Sequence, residues 1–308
     1  YLEILEFSSS NNNQTINLPP SMIHAAMSFI IASTIRNVRS YEELFEHKSM
    51  LIHVSKFVNV QERIENDIRR LIQAILDILK YKKEHFFLCL KHIFENYFLE
   101  YTKEYLDEEK DNITFEQLRH NENGIEWIIN EIKNNIFRMS GRGGNKPNYR
   151  KYKNDTGVGL TTIVIGGDKL SRGVTFNGLT TSYFLRASRM YDTLMQMGRW
   201  FGYRPGYEDV CRLYTSSELR QNFIDINIAS EELRARVAYM QEHNRTPADF
   251  GLAVRQSPGL LITSKVKMRD GIEVNIDYFG SGRQMTTLPW DIDKIAENFD
   301  LTSNFIKS

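Results

Sequence analysis

The chain has 308 residues, 41% hydrophobic and 25% charged, which is enough apolar mass for one large core or two small ones. Its 39 basic and 39 acidic residues cancel, so no global positive field draws it to nucleic acid and any such contact needs a local patch. No apolar run approaches the ~18–20 residues that span a bilayer, and a membrane partner is not expected.

Cys89 and Cys211 are the only cysteines and lie far apart in apolar runs, which fits a reduced, cytoplasmic protein with both thiols as core filler. The opening YLEILEF has no initiator Met and reads as part of a longer protein. Ser8 to Gln14 is a polar loop. Pro19-Pro20 then opens a helix over about Ser21 to Arg36 that is apolar on most faces and is expected to be buried. Arg36 and Arg39 near its end suit the last carbonyls of that helix. These residues, 1–45, form an N-terminal segment with one buried helix.

Met50 to Ser55 reads as a strand. His53 on it is taken as a satisfied core residue, whereas Ser55 and Gln61, at and beyond the carboxyl end, are placed to meet a ligand. Helical periodicity follows over Asn59 to Lys83, Phe86 to Glu109 and Phe115 to Asn134, the last broken near Asn123-Gly124. The block 59–135 is too long for a plain crossover and reads as a helical insertion. Ile136 to Met139 is a further strand. In SGRGGNKPNYRKYKNDTG, the residues Arg142, Lys146, Arg150, Lys151 and Lys153 alternate with Tyr149 and Tyr152. Such a stretch either tracks a nucleic-acid backbone or is a solvated loop.

Thr161 to Ile165 is a buried strand that ends in Gly166-Gly167, and a loop with Asp168, Ser171, Arg172, Gly173 and Thr175 follows. A strand at Thr180 to Leu185, a helix over about Arg189 to Trp200 and a strand at Val210 to Tyr214 come next. Ser216 or Ser217 caps a helix from Glu218, a second helix runs from Glu231 to His243, and short extended runs begin at Leu260. Strands alternating with helices imply an α/β fold with a parallel sheet. The glycine-bent exit at Gly167 and the arginines Arg199 and Arg204 are expected to converge on one edge of it as a phosphate site.

The stretch GGDKLSRGVTF resembles motif V of superfamily-two helicases, and QMGRWFGYR resembles their motif VI. Together with SMLIHVSKFVNVQ and TPADFGL, in that order, they make roughly Pro19 to Met268 similar to the Z1 domain, which carries an endonuclease label and accompanies helicase-type ATPase lobes in restriction-like systems. The resemblance implies a RecA-like second lobe over 46–225, with a helical and extended segment over 226–308. It implies Arg199 or Arg204 as an arginine finger. The spacing Q-x-G-R-x-x-G-x-R departs from the usual Q-x-x-G-R-x-x-R and leaves the choice between the two open. Gly167, Asp168, Arg172, Gly173 and Gln196 would meet nucleotide. Ser55, Ser171, Thr175, Arg142, Arg150 and Lys151 would meet DNA. ATP and Mg are expected only with a first RecA-like lobe from outside this chain, because no G-x-x-x-x-G-K-[ST] sequence occurs in it. Neither a D-x(n)-E-x-K pattern nor a zinc spacing stands out, so no metal site is expected. A non-catalytic nucleic-acid-binding or assembly module and an endonuclease subunit are the alternatives.

Overall fold

The computed structural model describes residues 16–100, 113–140, 145–170, 175–186, 188, 190–199, 202, 204–244, 246, 254, 260–263 and 292–307. The chain divides into two compact units, Tyr1–Ser264 and Lys265–Ser308. In the second, one helix is described, Ile292–Lys307.

The first unit is built on a five-stranded sheet: β1 (Lys48–His53), β2 (Ile136–Met139), β3 (Thr161–Gly166), β4 (Leu179–Phe184) and β5 (Arg212–Tyr214). The order is β2-β3-β1-β4-β5, and every pair is parallel. Every residue of β1, β3 and β4 is buried, as expected when both faces of a parallel sheet are covered.

The strand alternation sorts the core into two sides. Met50, Ile52, Ile136, Ile163, Ile165 and Tyr183 share one cluster with the large helices. These helices are α1 (Pro20–Arg39), α2 (Val58–Tyr81), α3 (Lys83–Tyr97), α4 (Phe115–His120) and α5 (Ile125–Asn134). Leu51, Val164 and Leu179 face the other way, with Met139, Leu170 and Phe176. Phe184 joins a third cluster with Tyr191, Leu194 and Met197 of α6 (Tyr191–Met197), together with Leu219, Phe223 and Ile226 of α7 (Ser217–Glu242). A short basic helix, Tyr149–Thr156, lies between β2 and β3 in the chain.

α1 is buried along most of its length, as its all-round apolar sequence requires, with Pro20 in its first turn where no N–H is needed. Its terminal arginines reach beyond the helix. Arg36 donates from Nε to Glu43 Oε2 at 2.7 Å and from Nη1 to the carbonyl of His47 at 3.1 Å, while Arg39 makes a two-nitrogen pair with Asp209. The buried Lys48 ammonium bonds the carbonyls of Glu43 and Glu46 at 2.5 and 3.0 Å, tying the turn Tyr41–Phe45 to the start of β1.

Among the boundaries that differ from the sequence reading, two concern the later helices. The region from Glu218 to His243 is one continuous helix, α7, because nothing between its halves breaks it; Ser230 Oγ bonds back to Ile226 O at 2.8 Å within the helix instead of capping a new one. Among the described residues, the helix expected over Arg189 to Trp200 is confined to Tyr191–Met197, and Gly198 caps it.

Right-handed crossovers fix where a ligand crevice can form. From β1 the chain leaves through α2, which packs on β2 and β3, and it returns on that flank. From β4 it leaves through α6 toward β5, on the opposite flank and the opposite face. The carboxyl ends of β1 and β4, adjacent in the sheet, are therefore a topological switch point.

Candidate functional site

The switch point is assembled from three strand exits. At the end of β1, His53 stands opposite Phe184 in the ladder, with the two rings edge-on at 5.3 Å between centroids. Ser55 Oγ then accepts from Phe57 N at 3.1 Å, and α2 begins after Phe57 without a side-chain cap. Its first turn carries no acidic residue. The positive end of this 24-residue helix thus lies at the carboxyl end of β1, with Val60 N donating to Asn59 Oδ1 at 3.0 Å and no acidic residue in that turn.

At the end of β3 the chain turns through Gly166-Gly167 into the short helical turn Asp168–Leu170. Gly167 packs closely: a Cβ there would lie 2.6 Å from Gln61 Nε2 and 3.0 Å from the carbonyl of Ser55, so the Gln61 side chain would have to move. That contact closes the β3 side of the crevice against the root of α2, where Gln61 Nε2 donates to Ser55 O at 3.0 Å. Gln61 is buried, and its side-chain oxygen has no partner among the described residues.

Two residues beyond β4, Arg186 Nη2 donates to Asp168 Oδ1 at 2.9 Å. This pair links the exits of β3 and β4 across the end of β1. The Arg186 side chain is 20% exposed and that of Asp168 68%, so the pair opens outward. Inward, Arg186 Nε is buried with no partner among the described residues. His53 is 0% exposed, and neither of its ring nitrogens has a partner there. Its pKa is held down at about 4, by burial first and then by the Arg186 guanidinium, with Asp168 acting weakly the other way. The ring is therefore neutral near pH 7 and presents one N–H donor and one acceptor.

Of the residues singled out in the sequence, Gly167, Asp168 and Ser55 meet here. Ser171, Arg172, Gly173 and Arg142 lie outside the described residues. Thr175 is exposed ahead of β4, and Gln196 is exposed on α6. The expected convergence of Arg204 on this edge is not what the structure has. Arg204 Nη2 bonds Arg199 O at 3.1 Å, and its charge acts on Tyr207 and Cys211. Cys211 Sγ is 3.9 Å from the carbonyl of Leu179, the first residue of β4, and the Arg36 guanidinium lies 4.0 Å over the Tyr207 ring. This cluster is at the amino edge, about 20 Å from Arg186 at ~3.3 Å of strand rise per residue. The reason is topological: the chain after α6 is on its way back to the start of β5. Asp209 pairs with Arg39, and Asp192 accepts from Thr193 and Thr263.

Arg150 and Lys151 are exposed on the basic helix. Tyr149 of that helix bonds Ser49 Oγ at 2.9 Å, near the start of β1, so this patch also belongs to the amino edge, away from Ser55. Two residues of the crevice escaped the sequence reading. His53 reads from the sequence as a satisfied core residue, and among the described residues its ring nitrogens have no partner; Arg186 gave no motif, and its position just past a strand's carboxyl end was the only signal available. Among the described residues no group of three or more His, Cys, Asp or Glu could hold a metal ion, and no helix is long and apolar enough to cross a membrane.

No curated protein and no solved structure matches the chain. The model of the Z1 domain matches residues 21–261, which takes in α1, the whole sheet, the crevice and α7. With well over half of its 308 residues inside that match, the chain belongs to the Z1 domain family.

Proposed function

We propose that this chain is the second, RecA-like lobe of a helicase-like ATPase that moves or remodels DNA in a restriction-like system. The observation that carries the reading is the crevice at the β1/β4 switch point, where a carboxylate-held guanidinium and an uncapped helix start face outward from an all-parallel sheet. The helicase-like stretches GGDKLSRGVTF and QMGRWFGYR support the same reading. Phosphoryl transfer asks mainly for positioning and charge neutralisation. A companion lobe would bring the phosphate cradle, its Lys and the acid that holds Mg. This lobe would close on the bound ATP with its carboxyl edge. DNA would be met by Ser55 beside that edge, or by Thr175, Arg150 and Lys151 toward the other.

The test is DNA-stimulated ATP hydrolysis, measured for this chain alone, for the companion lobe alone and for the two together or in one full-length protein. The expected result is turnover only when both are present, raised by added DNA. Turnover by the companion lobe that is unchanged by adding this chain overturns the motor reading and leaves a nucleic-acid-binding or assembly module. Metal-dependent nicking of DNA by this chain alone would make it an endonuclease subunit instead.

A further inference from the structure

The residues that meet phosphate can be named more narrowly than the family motifs allow. Arg186 is locked at one nitrogen by Asp168, yet its Nε is buried with no partner among the described residues. Behind it, His53 has both ring nitrogens in the same condition, in a residue with no exposed surface. Buried polar atoms without partners are costly, by about 1–3 kcal/mol each, and a fold that keeps several beside one crevice is organised around something that completes them. The neighbouring charges constrain what that is. A guanidinium and the N-terminus of α2 both favour an anion with several acceptor oxygens. A neutral imidazole supplies an N–H to such an oxygen without repelling the guanidinium.

We propose that the crevice between the carboxyl ends of β1 and β4 binds a phosphate group, with Arg186 as the charged ligand, His53 as an N–H donor behind it, and Asp168 as the residue that positions Arg186. Arg204, at the amino edge, takes no part in this contact. The proposal deepens the reading given above and rests on it only for which molecule carries the phosphate, a nucleotide or a nucleic-acid backbone. The bound anion raises the affinity of His53 for a proton, opposing the effect of Arg186. The charged and titratable groups acting on that ring are Arg186 and Asp168.

The experiment is calorimetric titration of the chain with inorganic pyrophosphate, with MgATP and with a short oligo-dT, alongside NMR of ring-labelled histidines. Pyrophosphate is expected to bind at least tenfold more weakly to Arg186→Gln than to wild type, with part of the affinity restored in Arg186→Lys. The His53 ring signals should shift on saturation, and the ring should then protonate at a higher pH than in the free chain. Asp168→Asn, which keeps the guanidinium but frees its orientation, should weaken binding by a smaller factor. Equal affinity in wild type and Arg186→Gln, with both showing the same thermal midpoint, overturns the proposal, as do His53 signals that do not respond. Arg186-dependent binding of MgATP supports a nucleotide as the carrier. Arg186-dependent binding of oligo-dT without MgATP keeps the phosphate site but overturns the nucleotide role of this edge, so the two readings fail separately.

Discussion

At His53, burial and the Arg186 guanidinium both oppose the imidazolium, and Asp168 offsets them only in part. The pKa in the folded state, about 4, lies below the ordinary histidine value of 6.5. The unfolded chain therefore binds more protons between these two values. The stability associated with the neutral ring is fully present above about pH 6.5 and is lost as pH falls toward 4, by roughly 3 kcal/mol at the end of the window. Urea midpoints measured from pH 7.5 to 4 should show that decline, and His53→Leu should reduce it, leaving the part due to His24 and His47, whose pKa values burial also lowers. A midpoint in wild type and variant that falls in parallel would mean that the ring is hydrated and titrates normally. Arg204 makes the opposite prediction for activity. An arginine finger is worth roughly 10³–10⁵ in rate. With its guanidinium bonded to Arg199 O near Tyr207 and Cys211, Arg204→Ala should leave turnover of the two-lobe protein within about tenfold of wild type while lowering stability by about 1–2 kcal/mol. Loss of more than about a thousandfold in turnover would restore the finger assignment.

At the scale of elements, two joints hold the helices to the amino edge of the sheet. Gly178, with φ of 63°, brings the turn before β4 against the carbonyl of His47, where a Cβ would come within 1.6 Å. Gly178→Ala must both strain the left-handed backbone and push back the root of β1, and a loss of about 3 kcal/mol or more is expected from chemical denaturation. Arg39 joins α1 to the turn ahead of β5 through Asp209, both side chains being almost fully buried. Arg39→Met deprives a buried carboxylate of this partner and should cost about 3 kcal/mol, whereas the exposed pair Arg234–Glu231 should give less than about 0.5 kcal/mol when broken. These elements were legible in the sequence to unequal degrees. The strands showed as short runs rich in β-branched residues, and α1 showed as an all-round apolar helix behind two prolines, because those signals are local. The split expected near Ser230 failed because a serine followed by two glutamates looks like a helix start even inside a helix. The crevice was half legible. Ser55 and Gly167-Asp168 sit at recognisable strand exits, but the meeting of Arg186 with Asp168 and His53 depends on β1 lying between β3 and β4, and no local pattern states that order.

For the molecule as a whole, the sheet separates two kinds of polar surface by the length of its strands. The Arg186–Asp168 pair lies at one end of β4, while the Arg204 cluster lies at the other end together with the basic helix that holds Arg150 and Lys151. On the functions proposed above, a DNA strand lying along Arg150 and Lys151 would be clear of a phosphate held by Arg186, and both ligands would bind at once. If so, removing both cations (Arg150→Ala with Lys151→Ala) should weaken DNA binding and reduce its salt dependence by about two counterions, with pyrophosphate affinity unchanged.

The position of β1 bears on how the chain acquires its fold during synthesis. Lys48 is matched with Thr161 and Ser49 with Leu179, so the central strand leaves the ribosome with neither neighbour yet made. Until those partners emerge, a six-residue strand that is wholly buried in the finished protein has nothing but the nascent helices to shelter it. Chains stopped before Thr161 should stay protease-sensitive and prone to aggregate, and chaperone dependence should end only once β4 has cleared the exit tunnel.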